Sequence, residues 1–157
     1  MKPHIFRLEL ADPHSQIAQE LIEQLSAKLA EITGDSGKKS ADPASLSGPG
    51  SAFVLAYDQQ GQAVGCGGWR RLAEAGPGVA ELKRMYAQAQ AAGAGSAILQ
   101  FLEQQARLAG YRELWLETRR VNLVAVNFYR KHGYLEIPNY GSYRDQPLAI
   151  CLAKVLN

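Results

Sequence analysis

Residues 79–109 read VAELKRMYAQAQAAGAGSAILQFLEQQARLA, and the fold is decided here. Val79–Ala87 is a strand-like run, and an Ala/Gly-rich turn follows it. An amphipathic helix then runs from about Gly95 to Ala109, with Ile98, Leu99, Leu102, Ala106 and Ala109 on one face. Gly110 is placed to end it. A helix that opens directly from such a turn presents unpaired amides and a positive dipole end, which suit a phosphate group. Gly93 and Gly95 would let the backbone approach that phosphate without a Cβ clash. A tight turn with no ligand has the same pattern, so the stretch alone leaves both readings open.

Working outward, three strand-like runs end in this stretch: Ala52–Tyr57, Ala63–Leu72 and Val79–Ala87. Asp58-Gln59-Gln60-Gly61 and Ala75-Gly76-Pro77-Gly78 supply the turns between them. Upstream, Ile5–Leu10 alternates as a first strand. A long helix follows, with Asp12 expected as its N-cap, Pro13 at its first position and its end near Gly34. Its apolar face is Ile17, Leu21, Leu25 and Leu29, with Ala18, Ile22 and Ile32 beside them. Residues 34–50, rich in Gly, Ser, Pro and Asp, form a loop with one short helical turn at Pro43–Leu46. That loop is either a surface connection or a wall of a substrate site.

Downstream, Leu114–Thr118 is a strand of β-formers, and Asn122 caps a helix to about Lys131. Arg130, Lys131 and His132 suit its last turn, and Gly133 stops it. Tyr134–Ile137 and Leu148–Leu156 are the final strands. The order is a helix, a strand meander, then alternating βαβαβ: an α/β chain with a mixed sheet covered by helices.

The chain has 157 residues and reads as a single domain over 1–157. Its 17 basic and 15 acidic residues leave a formal charge of +2, which speaks against nucleic acid as a partner. No apolar run approaches the roughly 18 residues of a membrane span, and no signal-peptide core is present, so the expected location is cytoplasmic. The two cysteines, Cys66 and Cys151, lie in apolar runs and read as core residues of a reducing compartment. His4, His14 and His132 are scattered, without metal-ligand spacing, so no metal is expected. A P-loop, a dinucleotide fingerprint and a GxSxG elbow are all missing, since Ile98 stands where the third fingerprint glycine would be.

Three segments in order resemble the GNAT (Gcn5-related) N-acetyltransferase family. Glu81-Leu82-Lys83-Arg84-Met85-Tyr86 is similar to its central strand. Gln90-Ala91-Ala92-Gly93-Ala94-Gly95 fits its Q/R-x-x-G-x-G/A loop for acetyl-CoA. Leu116-Glu117-Thr118, Asn122 and Phe128-Tyr129-Arg130-Lys131-His132-Gly133-Tyr134 resemble its closing strand–helix–strand segment. The loop between Tyr86 and Gly93 is shorter than the usual version, lacks its common proline and carries no cation. The resemblance implies a mostly antiparallel central sheet of about six to seven strands, flanked by about four helices, with a splayed central pair.

The resemblance also implies roles. Met85, Tyr86 and Ala87 would meet the pantetheine arm of acetyl-CoA through main-chain atoms, as an added strand does. Ala91, Ala92, Gly93, Ala94, Gly95 and Ser96 would hold the pyrophosphate. Asn122 would touch the pantetheine or order its helix. Tyr129 would protonate the leaving thiolate, and its other reading is a core aromatic beside Phe128. Glu81 matches the position of a general base in some members, and is otherwise a structural ion-pair partner. Lys83, on its own face, and Arg84, on the other, look poorly placed to pair with it. Glu117 is a second candidate for the base, and its other reading is structural. The loop with Tyr140 and Tyr143 either walls the acceptor site or packs.

The function implied is acetyl transfer from acetyl-CoA to a primary amine, on a small molecule rather than a protein, by direct attack. A homodimer is compatible with the family. The alternative is a non-catalytic acyl-CoA-binding or sensing module of the same fold.

Overall fold

The strands are β1 (Arg7–Leu10), β2 (Ala52–Tyr57), β3 (Ala63–Arg71), β4 (Val79–Ala87), β5 (Glu113–Arg119), β6 (Leu135–Ile137) and β7 (Ala149–Val155). They form one sheet in the order β1-β2-β3-β4-β5-β7-β6, in a computed structural model that describes residues 5–36 and 42–157. Each neighbouring pair is antiparallel except β4–β5. The helices are α1 (Gln16–Thr33), α2 (Ala94–Leu108) and α3 (Leu123–Lys131). About four were implied; the other helical turns, at Pro43–Leu46, Ala73–Ala75 and Gly141–Tyr143, are short 3-10 turns. Part of the loop expected over 34–50, residues 37–41, lies outside the described residues, as does His4.

Alternation along the strands buries both faces of the sheet. Val54 and Ala56 pack with Ile98, Leu99 and Leu102 of α2 and with Val126 and Tyr129 of α3. Phe53 and Leu55, pointing the other way, pack with Ala18, Leu21 and Ile22 of α1. Farther along that second face, Trp115, Cys151, Tyr140 and Tyr143 form a third cluster. Both cysteines are buried and free.

The helix ends follow local chemistry. Gly34 closes α1 with φ 81°, and its amide bonds the carbonyl of Ala30 at 2.9 Å. The start of α1 corrects the sequence reading: the N-cap is Ser15, whose side chain accepts from the Ala18 amide. Asp12 instead accepts from the His14 amide at 2.8 Å, a turn two residues on that keeps it out of the helix. The buried stripe of α1 is centred on Ala18, Leu21, Ile22 and Leu25, which leaves Ile17 and Ile32 exposed.

The element that positions the site is a bulge in β4. Cys66 pairs with Tyr86 and Gly68 with Lys83, so Gly67 opposes both Arg84 and Met85. Arg84 has φ 57°, the positive value of a non-glycine residue among those described. Gly67 makes room, because a Cβ there would run into Met85 Sδ and lie 3.0 Å from Ile98 Cγ2. The extra residue breaks the alternation that put Arg84 on the far face. Its guanidinium reaches Ser26 of α1, so Arg84 and Lys83 share the α1 side of the sheet.

Just before the bulge, β4 and β5 part. They pair over Val79–Glu81 and Glu113–Trp115 alone, after which β4 continues beside β3 and β5 beside β7. This is the splay that the resemblance implied.

The glycines of β3 are dictated by close approach. A Cβ on Gly68 would stand 2.6 Å from the Ala52 carbonyl oxygen and 3.2 Å from the ring of Phe53. Gly68→Ala is therefore expected to destabilise the fold by about 2 kcal/mol, since backbone cannot yield as a side chain does. Urea unfolding measures it, and a loss below about 0.5 kcal/mol would mean β2 shifts freely.

Candidate active site

The splay opens a cleft of about 430 Å³ that passes from one face of the sheet to the other. On the α2/α3 side it is lined by Leu82, Met85, Leu116, Asn122, Ala125 and Tyr129. On the α1 side its walls carry Leu25, Leu29, Lys83, Arg84, Glu117 and Tyr143. Asp35 and Arg119 stand at the same end, where Arg119 bonds Gln146 at 2.9 Å.

Of the residues expected at the site, Tyr129, Met85 and Asn122 meet in this cleft. Tyr129 is buried between Phe128 and Tyr134, each edge-on to it at 5.2 and 5.6 Å. Its hydroxyl has no hydrogen-bond partner among the described residues, and burial raises its pKa, so it stays protonated at neutral pH. Asn122 is the N-cap of α3, its side chain accepting from the Ala125 amide at 3.3 Å.

Two carboxylates lie close to the splay, and their surroundings differ. Glu81 is the last residue of β4 to pair with β5, opposite Trp115. It is 1% exposed and fully engaged. Arg70 donates to Oε1 at 2.9 and 3.1 Å, and the Tyr140 hydroxyl donates to Oε2 at 2.6 Å. Lys83 Nζ lies 3.6 Å from Oε1, so the pairing that the sequence disfavoured does form, on the shared face. Glu81 thus lashes β3, β4 and the loop before β7 together at the apex of the splay. Lys83, whose ammonium burial disfavours, also donates to the Tyr143 hydroxyl at 2.8 Å.

Glu117 is the opposite case. It lines the cleft, and its Oε2 is buried without a hydrogen-bond partner. Burial raises its pKa above 4.5, against the pull of Arg119 and Lys83.

The turn before α2 keeps its amides available. Ala94 donates to the Ala91 carbonyl and Ala97 to that of Gly93. The amides of Ala92, Gly93, Gly95 and Ser96 make no backbone bond, and Gly93 reaches φ 90° as the N-cap. Ser96 Oγ meets His132 Nε2 at 3.0 Å, a contact the sequence reading missed because α3 must first fold back beside α2. Of the basic residues in and beside α3, Arg120 and Arg130 both pair with Glu136. Tyr86 turns its side chain toward Gln24 of α1, and Ala87 ends β4.

Comparison with known proteins agrees with this geometry. The model of the acetyltransferase (GNAT) family matches residues 19–134. An "IAA acetyltransferase" of Azospirillum brasilense is 32% identical over 146 residues, 92% of this chain and 94% of that protein. The structure of a Klebsiella pneumoniae protein described as an acyl-CoA N-acyltransferase superposes with TM-score 0.80 at 25% identity, over 98% of this chain and 99% of that one. A Staphylococcus aureus acetyltransferase of the GNAT family shares the fold at TM-score 0.73 and 17% identity, over 96% and 100% of the two chains.

The state of Glu117 has a consequence for stability. A folded pKa above 4.5 means that the folded state holds more protons than the unfolded one in that window, so stability falls as pH rises through it. Glu117→Gln removes that loss. The variant is expected to melt at or above the wild-type temperature at pH 7, with the difference vanishing near pH 4 (about the ordinary carboxylate range). A variant that melts lower at pH 7 would show that the carboxylate is held by favourable contacts.

Proposed function

The chain belongs to the GNAT acetyltransferase family, and from that premise we propose that it transfers the acetyl group of acetyl-CoA to a primary amine by direct attack in a ternary complex. The observation that carries this reading is the cleft through the sheet, with a protonated tyrosine on one side and an unpartnered carboxylate on the other.

The chain fits acetyl-CoA at both ends of the cofactor. The β5-facing edge of Leu82–Ala87 has no strand partner, so Met85, Tyr86 and Ala87 can bond a pantetheine arm as an added strand. The free amides of Ala92, Gly93, Gly95 and Ser96, at the positive end of α2, suit the pyrophosphate. Bound there, acetyl-CoA supplies an activated thioester.

The acceptor amine would enter from the α1 side. At pH 7 an alkyl ammonium must first lose a proton, at a cost of roughly 4–5 kcal/mol. Glu117 faces the cleft and takes that proton directly. Glu81, expected as the base, acts at one remove: Lys83 and Tyr143 connect it to the cleft, and its own oxygens anchor the apex. The carbon–nitrogen bond forms as the carbon–sulfur bond breaks. Tyr129 gives its proton to the leaving thiolate, and the second proton shed by the nitrogen replaces it. Burial pushes the Cys66 thiol up to about 12, which disfavours an acyl-cysteine route. Walls on both sides of the cleft favour a small acceptor over a protein lysine.

Calorimetric titration with acetyl-CoA, beside NAD as a control, tests the cofactor reading. Binding of acetyl-CoA alone is expected, and no heat at millimolar cofactor would overturn it. Tyr129→Phe is expected to lower kcat by about 10- to 100-fold, because a thiol of pKa about 8.5 leaves with modest help. Glu117→Gln should lower kcat/KM and flatten its rise with pH, whereas Glu81→Gln should also cost stability, by about 3 kcal/mol. Equal rates for wild type and Tyr129→Phe would remove Tyr129 from the mechanism.

A further inference from the structure

We propose that the acceptor carries a carboxylate as well as the amine: a small zwitterionic amino acid, its carboxylate on Arg84 and its ammonium on Glu117. This rests on the acetyltransferase reading above and names the substrate class for that same cleft.

Among the described residues, two side chains have a buried polar atom with no hydrogen-bond partner, Arg84 at Nε and Glu117 at Oε2. Both line the one cleft, and their charges are opposite. Arg84 is 7% exposed. Its Nη1 makes only long bonds of 3.4 Å to neutral oxygens, the Ser26 hydroxyl and the Ser36 carbonyl. No carboxylate among the described residues forms an ion pair with it. Glu23 and Asp35 attract this guanidinium only from beyond ion-pair distance, and a buried guanidinium without a direct charged partner is costly, as is a buried carboxylate oxygen without a donor.

The neighbouring charges are already committed. Lys83 and Arg70 serve Glu81, and Arg119 serves Gln146 and Asp35. Arg84 and Glu117 do not satisfy each other, because they stand on the two strands that the splay separates. A molecule that bridges the splay with one charge of each sign satisfies both. A polyamine would bring a second cation toward Lys83 and Arg84. A simple amine leaves Arg84 bare, and a protein lysine has no carboxylate at hand. Leu25 and Leu29 give the remainder of the molecule an apolar wall.

The bulge explains why an arginine can serve here. A regular strand would turn residue 84 to the cofactor side, whereas φ 57° sends it to the acceptor side.

The test is a transfer assay with acetyl-CoA and the twenty common free L-amino acids, each paired with its amide. The best free amino acid is expected to exceed its amide in kcat/KM by roughly 10- to 100-fold, the worth of a charge-assisted hydrogen bond. Arg84→Gln should erase that preference by slowing the free acid far more than its amide, and Arg84→Lys should restore part of it. Wild-type enzyme alone decides the matter if the variants do not fold. Amides or simple alkyl amines equal to or better than every free amino acid would overturn the inference while leaving the acetyltransferase reading intact. Failure of acetyl-CoA to bind at all would instead overturn that reading.

Discussion

Everything at the site depends on one backbone constraint: β4 and β5 are paired up to Glu81 and no farther. A continuous sheet would bury its hydrogen bonds and leave no passage. Here the bulge at Arg84 and Met85 turns β4 away, and a glycine opposite makes the turn affordable sterically. The Cys66 thiol donates to the Arg84 carbonyl at 3.4 Å and helps fix the kink. The freed edge and the cleft are two views of the same parting.

The apex of that parting is under electrostatic control. Glu81, itself almost without solvent, gathers Arg70, Lys83 and Tyr140 where the strands stop pairing. Such a cluster is a weak source of net stability but a strong source of geometry, because losing one member strands the others. It also divides labour between two carboxylates of one face. Glu81 is spent on architecture, which leaves Glu117 open to the cleft.

The fold was largely legible because its signals are local. The spacing of Ile98, Leu99, Leu102 and Ala106 specifies α2 within a residue of its ends, and Gly34, Gly110 and Gly133 mark stops by the positive φ they alone tolerate easily. The site was legible in part. Family resemblance pointed to Tyr129, which does line the cleft, and to the turn before α2, whose amides are left without backbone bonds. The partners of Glu81 could not, since Arg70 reaches it through the β3–β4 register and Tyr140 through a loop 59 residues away. The facing of Arg84 was misread because strict alternation was assumed across a bulge. Gly65-Cys66-Gly67-Gly68 carried the missing clue: so many glycines within one strand signal a neighbour that comes too close for side chains.

A sheet joined at its middle by three residue pairs is two blades on a pivot. β1–β4 with α1 make one blade, and β5–β7 with α3 make the other, while α2 bridges their backs. The core beneath α2 is shared by both blades, so any change in the width of the cleft is resisted there. A molecule laid along β4 would supply the missing strand and act as a wedge in the opening. On the acetyl-transfer reading, the grip on the acceptor would then follow how fully the donor is seated, and binding order would be a mechanical property of the sheet.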